Sequence, residues 1–209
     1  MSENAPEGIR LNLGCASRPL PGYINIDLDT LEEMKARYPN LTIPDDLKIF
    51  RYDIFNLPYP DGSVSEARCD SMLEHLSFRE EKKFFYEMQR VIKPGGLLVF
   101  SVPDFEDLVR NWLAAEDDWR DFYRDDPEAI AQQHWFGQYS YSTRSRWGYM
   151  TASLYGPQNS EGQFHKNCYT EKKIRVLLDF LGFHIIELSF FNWKGDRDRM
   201  IYVRAEKRT

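Results

Sequence analysis

The sequence predicts an α/β chain on a mostly parallel seven-stranded sheet, with an antiparallel hairpin at its C-terminal end and an insertion after the fifth strand. Three observations carry this prediction. Short apolar runs alternate with polar turns through the first half, and a helical stripe lies between the fourth and fifth runs. The run Leu97-Leu98-Val99-Phe100-Ser101-Val102 is nearly continuous in its apolar character, as a strand covered on both faces must be. Two final strand-like runs are joined by too few residues for a crossover helix, so they pair antiparallel.

The elements follow in order. Ile9 to Leu13 is the first strand and ends at Gly14; Tyr23 to Leu28 is the second and Leu47 to Tyr52 the third. Val64 to Cys69 is a weaker fourth. Ser77 and Glu80 make a capping box, after which Phe84, Phe85, Met88, Val91 and Ile92 share one helical face. Pro94-Gly95-Gly96 stops that helix and turns the chain into the fifth strand. A second helix starts near Thr170, lines up Ile174, Leu177, Leu178 and Leu181, and is capped by Gly182. Ile185 to Phe191 and Met200 to Ala205 form the hairpin. Residues 103–169 are rich in Trp, Tyr, Phe, Gln and Asp without strand alternation, and read as an insertion within a single domain spanning 1–209.

Of the 209 residues, 42% are hydrophobic and 29% charged, the balance of a soluble globular protein. A net charge of −6 gives no bulk attraction for nucleic acid. The start lacks the basic end and apolar stretch of a secretory signal, and no apolar run approaches the roughly 20 residues of a membrane span. A cytoplasmic protein without membrane or nucleic-acid partners is expected. Cys15, Cys69 and Cys168 are odd in number and widely spaced, which suits small buried side chains in a reducing compartment.

Three positions point to ligand chemistry. A strand ending in Gly14 lets the backbone through Cys15 and Ala16 turn sharply and approach a ligand, although glycine after a strand is often only a turn. Asp27, ending the second strand, can accept both hydroxyls of a ribose. Asp53, ending the third, can accept from an adenine amino group; either Asp also suits a plain turn or cap.

The ordered set of a Gly turn, two strand-ending acids and Lys93-Pro94-Gly95-Gly96 resembles the class I methyltransferases that use S-adenosylmethionine (SAM), in particular the small-molecule, type 11-like group. Leu57-Pro58-Tyr59-Pro60-Asp61-Gly62-Ser63-Val64, Leu73-Glu74-His75-Leu76 and Ile92 to Leu98 are similar to three further segments of that family. The resemblance implies a Rossmann-like sheet with SAM as cofactor. It implies that Gly14, Cys15 and Ala16 face the methionine part, Asp27 holds the ribose and Leu28 lies against adenine. Asp53 and Ile54 would contact the adenine, and Asp70 would border the methionine end.

The sequence departs from the family twice. Ala16 replaces the second glycine of the usual turn, so the loop must not require positive φ there. Ser17 to Gly22, with two prolines, is too short for the usual helix between strands one and two, and Arg18 could pair with the SAM carboxylate instead or be an ordinary surface residue. Only eight residues precede Ile9, so closure over the acceptor is expected from residues 103–169.

Methyl transfer to a hydroxyl needs alignment and proton removal, for which histidine is suited. His165 and His134, in the insertion, lead as catalytic candidates; His75 could serve as base or pack its helix, and His184 is structural. Asp104, Glu106 and Tyr155 are candidate substrate contacts. The insertion's aromatic residues permit ring stacking or form a small core, and Asp117-Asp118 and Asp125-Asp126 are read as solvated rather than cation-binding, so no metal is expected. The reading is O-methylation of a small polar acceptor such as a sugar or biosynthetic intermediate. N-methylation of an amine and a non-catalytic SAM-binding scaffold are the alternatives, and the oligomeric state is open. Dinucleotide binding is disfavoured by the missing G-x-G-x-x-G turn.

Overall fold

The computed structural model describes residues 8–37, 42–44, 47–115, 146, 149–156, 158, 161–193 and 198–209. Its strands are β1 (Ile9–Leu13), β2 (Ile24–Ile26), β3 (Ile49–Phe50), β4 (Val64–Asp70), β5 (Ile92–Pro103), β6 (Phe183–Trp193) and β7 (Asp198–Lys207). They form one sheet in the order β3-β2-β1-β4-β5-β7-β6. The first five strands run parallel, and β7 enters antiparallel between β5 and β6. Leu11, Leu13, Val64, Ala67, Cys69, Leu98 and Phe100 are all within about 1% of full burial, as central strands covered on both faces require.

The helices are α1 (Leu31–Arg37), α2 (Phe78–Val91), α3 (Phe105–Ala114), α4 (Tyr149–Tyr155) and α5 (Glu171–Phe180). In α2 the capping box is formed: Glu80 N donates to Ser77 Oγ, and Ser77 N donates to Glu80 Oε2 at 2.7 Å. Its face Phe84, Phe85, Met88 and Val91 is buried. Thr170 caps α5 through Lys173 N, Ile174 and Leu178 are buried, and Gly182 follows at φ +77°.

Several boundaries differ from expectation. β2 and β3 keep three and two residues, because little beyond β2 pairs with β3 at that edge. The short polar helix α1 had no apolar stripe to announce it. α2 stops at Val91 rather than at the Pro94-Gly95-Gly96 stretch, which lies inside β5 where the pairing with β4 shifts register. Gly96 is needed there: a Cβ would lie 2.8 Å from Ile92 Cγ2 and 2.9 Å from Lys93 O. Both hairpin strands are longer than their apolar cores.

The segment Leu57 to Gly62 is strapped to α2. Leu57 N donates to Glu87 Oε1 at 2.6 Å, and the Arg90 guanidinium donates to the carbonyls of Leu57 and Tyr59 and to Asp61. The insertion leaves and rejoins the sheet at one place: Asp104 and Tyr169 form an isolated parallel bridge, and Phe105 N donates to Tyr169 O. Within it, Trp112 Nε1 donates to Thr151 Oγ1, joining α3 to α4, and Arg146 lies over the Trp112 ring. His134, the two acidic pairs, Trp119, Trp135, Tyr139, Tyr141 and Trp147 lie outside the described residues. Among the described residues no helix is long and apolar enough to cross a membrane.

Candidate functional site

Parallel strands present their carboxyl ends to one edge, and the loops that follow β1, β2, β3 and β4 gather there. After β1 the chain turns at Gly14, φ +63°, where a Cβ would lie 2.6 Å from Met72 Cγ. Cys15 N donates to Ile26 O, and Ala16 N donates to Asp27 Oδ2 at 2.8 Å. Asp29 N donates to the other Asp27 oxygen at 3.0 Å. Asp27 is thereby oriented by its own backbone and by the β1 loop, each oxygen keeping acceptor capacity on its outer side. Burial raises its carboxyl above the ordinary range while these N–H groups pull it back. Burial also pushes the Cys15 thiol up to about 12, which makes it an inert filler.

Ala16 corrects an expectation. It does take positive φ, +43°, so the loop keeps the backbone course of a glycine turn at a cost on the order of 1 kcal/mol. The Ala16–Asp27 hydrogen bond helps to hold it there.

Two buried asparagines lock the short β1–β2 connection, and the sequence reading missed both. Asn12 Nδ2 donates to Asn25 Oδ1 at 2.8 Å and to Arg18 O. Leu20 N donates to Asn25 Oδ1, and Asn25 Nδ2 donates to the carbonyls of Leu20 and Tyr23. A proline-stiffened loop cannot satisfy its own backbone groups as a helix would, so strand side chains do it. The signal was present in Leu-Asn-Leu and Ile-Asn-Ile, an amide at the centre of each apolar strand.

Arg18 stacks on the Trp193 ring at 4.5 Å and has no ion pair among the described residues. Leu28 is 66% exposed beside Asp27. Asp53 folds over a turn, accepting Phe55 N with one carboxylate oxygen, and Ile54 lies in that turn. Phe50 and Tyr52 stack next to it at 5.5 Å. Asp70, the last residue of β4, is pinned by Arg68 at 2.7 Å and by the Ser101 hydroxyl at 2.8 Å.

The three expected substrate contacts divide. Asp104 is a structural residue, and this is a correction. Its Oδ1 caps α3 through Glu106 N and Asp107 N, and its Oδ2 accepts from Arg199 Nε and Nη2, so no acceptor position is left. Glu106 is exposed and pairs with Arg110. Tyr155 is exposed at the end of α4, where its carbonyl accepts His165 N.

Two of the expected histidines meet. After β4 a 3₁₀ turn, Leu73–His75, carries Glu74 and His75. The Glu74 carbonyl accepts Lys166 N and Asn167 N, which docks the end of the insertion onto this turn. The rings of His75 and His165 then lie edge to face at 4.9 Å. Each Nδ1 faces a backbone carbonyl, Phe164 O for His75 at 3.2 Å and Ser153 O for His165 at 2.9 Å. A carbonyl only accepts, so each Nδ1 carries the hydrogen and each Nε2 the lone pair. Burial lowers both pKa values, that of His165 to about 4, so both rings are neutral at pH 7. Gly156 makes room for this: a Cβ there would lie 2.1 Å from Gln163 O and 2.8 Å from His165 N.

Residues 13–100 match the family model described as a methyltransferase domain. A probable SAM-dependent methyltransferase of Mycolicibacterium smegmatis is 32% identical over 83 residues, which cover 39% of this chain and 29% of that protein. The solved structure of a SAM-dependent methyltransferase from Methanosarcina mazei superposes at TM-score 0.58 with 18% identity, covering 98% of this chain and 94% of the other. Residues 13–100 are thus similar to a methyltransferase domain, and the chain has the fold of SAM-dependent methyltransferases. The 1,6-didemethyltoxoflavin-N1-methyltransferase of Burkholderia thailandensis, solved with S-adenosylhomocysteine bound, shares that methyltransferase fold at TM-score 0.56 and 12% identity, covering 96% of this chain and 71% of the other. S-adenosylmethionine is the methyl donor named for the Mycolicibacterium and Methanosarcina proteins. The chain spans about three-tenths of the length of the curated relatives it matches. The methyltransferase domain model ends at Phe100, so the insertion and the hairpin lie beyond it.

Proposed function

We propose that the chain transfers the methyl group of SAM to a hydroxyl of a small polar molecule. The observation that carries this reading is the Asp27 carboxylate, fixed by Ala16 N and Asp29 N at the carboxyl edge of the parallel strands with both oxygens still able to accept. A ribose diol matches that acceptor pair. Leu28 and the Phe50–Tyr52 stack offer apolar faces for a purine, and the free oxygen of Asp53 suits its amino group. Gly14 through Ala16 would carry the methionine part, with Asp70 at its far end. Arg18 stacks on Trp193 through the face of its guanidinium, which leaves its N–H groups able to donate, so Arg18 and the backbone N–H groups of the loop are assigned the carboxylate of the cofactor.

When bound, SAM supplies an electrophilic methyl: the acceptor oxygen forms the new C–O bond as the C–S bond breaks and its electron pair stays on sulfur. The protein must align that oxygen and see its proton leave. His75 and His165 are the described side chains for this task, with His134 outside the described residues. The name of the Burkholderia protein specifies a nitrogen acceptor, and an amine sheds its proton readily. Two neutral imidazoles beside a buried carboxyl favour a hydroxyl here. Residues 103–169 are proposed as the acceptor-binding cover.

Calorimetric titration with SAM, followed by tritium transfer from labelled SAM onto fractionated metabolites, tests the reading. Saturable binding with label in a polar small-molecule fraction is expected. Binding without transfer would leave a scaffold, and label on protein or nucleic acid would overturn the acceptor class.

A further inference from the structure

We infer that Glu74, His75 and His165 bind one divalent transition-metal ion at the carboxyl end of β4, and that the ion holds the acceptor hydroxyl. The inference rests on the transfer reaction proposed above and changes the agent that handles the acceptor, replacing an imidazole base with a coordinated cation. It also departs from the metal-free expectation drawn from the sequence.

Geometry comes first. Among the described residues, these three alone bring metal-ligating atoms together, one from each side chain and all within 4.8 Å of one another. Two ligands on opposite sides of an ion with bonds of about 2.1 Å lie roughly 4 Å apart, so side-chain shifts of under about 1 Å close the set.

The second observation is the carboxylate. Glu74 is 3% exposed, yet its Oε2 has no hydrogen-bond partner. A buried carboxyl oxygen left unpaired is costly, and the imidazoles facing it are no help, since their N–H groups are engaged elsewhere. What the three side chains share is ligand atoms within 4.8 Å of one another. A cation satisfies all of them at once.

The third observation is how the rings are held. Both Nδ1–H groups donate to backbone carbonyls, the arrangement that fixes the tautomer and aims Nε2 at a metal. Both carbonyls belong to the insertion, Phe164 and Ser153, and the same stretch grips the Glu74 carbonyl through Lys166 N and Asn167 N. Ligand orientation is thus set by the same hydrogen bonds that dock the end of the insertion onto the turn after β4.

Two imidazoles and one carboxylate suit Zn²⁺, Mn²⁺ or Fe²⁺ and leave open positions, as catalytic rather than structural sites do. A hydroxyl in an open position loses its proton to water more easily, because the cation stabilises the charge left on oxygen. That oxygen then attacks the methyl group with the bond changes given above.

The test uses the full chain stripped of metal. Titration with Co²⁺ should give d–d absorption saturating at one ion per chain, and calorimetry with Zn²⁺ the same stoichiometry. His165→Ala, His75→Ala and Glu74→Gln should each weaken Zn²⁺ binding by more than about 100-fold, beyond the loss from disturbing an outer partner. SAM affinity, measured on each variant, reports that the sheet is intact. Should an alanine variant fail to fold, Glu74→Gln, which keeps shape and backbone contacts, decides alone. No saturable Co²⁺ signal, or Zn²⁺ binding indifferent to these substitutions, overturns the inference. Transfer that persists in chelator refutes the metal while sparing the methyltransferase reading; metal binding without any transfer does the reverse.

Discussion

Asp27 does two things with one carboxylate. Its oxygens hold the Ala16 and Asp29 N–H groups and, in the function proposed above, would accept the hydroxyls of a ribose. Asp27→Ala should therefore remove ligand contacts and release a loop residue from positive φ together. Hydrogen bonds to a charged group are worth about 1.5–3 kcal/mol each, so SAM binding should fall by roughly 100-fold or more, read by calorimetry. Asp27→Asn, which keeps an acceptor oxygen, should fall less. Gly156 offers a separate test of the acceptor side. Gly156→Ala would drive a methyl group into Gln163 O and the His165 backbone. SAM affinity should stay within about twofold while methyl transfer drops at least tenfold, because only the His165 segment is displaced.

Elements were legible in the sequence to the degree that burial imposed a period on them. β4, β5 and α2 carry long apolar patterns and capping chemistry, and they lie close to where the pattern placed them. β3 is a two-residue edge pairing, and α1 a polar helix without a stripe, so neither had a period to read. The two acids proposed to meet the cofactor, Asp27 and Asp53, stand out in the sequence because each follows a strand. The meeting of Glu74 with His165 was not, because it depends on where the insertion re-enters, and no local pattern encodes that. The β1–β2 connection shows a middle case, where Asn12 and Asn25 were visible but their partners were not. Asn25→Ala would leave Leu20 N and one of the two Asn12 Nδ2 hydrogens without an acceptor, the other still bonded to Arg18 O. A loss of about 2–4 kcal/mol is expected in urea denaturation, with SAM binding weakened as well, since the loop they hold leads to Ala16.

The whole molecule is tied together where the parallel and antiparallel parts of the sheet meet. Asp104, 4% exposed at the end of β5, accepts two bonds from Arg199 on β7 while capping α3. Asp104→Ala should lose about 1 kcal/mol of cap and more from the ion pair, roughly 2–3 kcal/mol in total given that Arg199 is partly exposed. Thermal unfolding should show it as a single lowered transition, because helix, hairpin and parallel strands share that one carboxylate. SAM affinity of the folded variant should stay unchanged.

The bridge between Asp104 and Tyr169 gives residues 103–169 a common point of departure and return. A segment entered and left at one stem is a cassette. Lengthening a closed loop costs little, about 0.6 kcal/mol for each doubling, so the sheet sets almost no limit on what the stem carries. With residues 103–169 covering the acceptor as proposed, exchanging the stretch between the stem and Ser153–Asn167 would be a route to new acceptors that leaves the proposed cofactor site alone. Selection could have rewritten the acceptor through the same door.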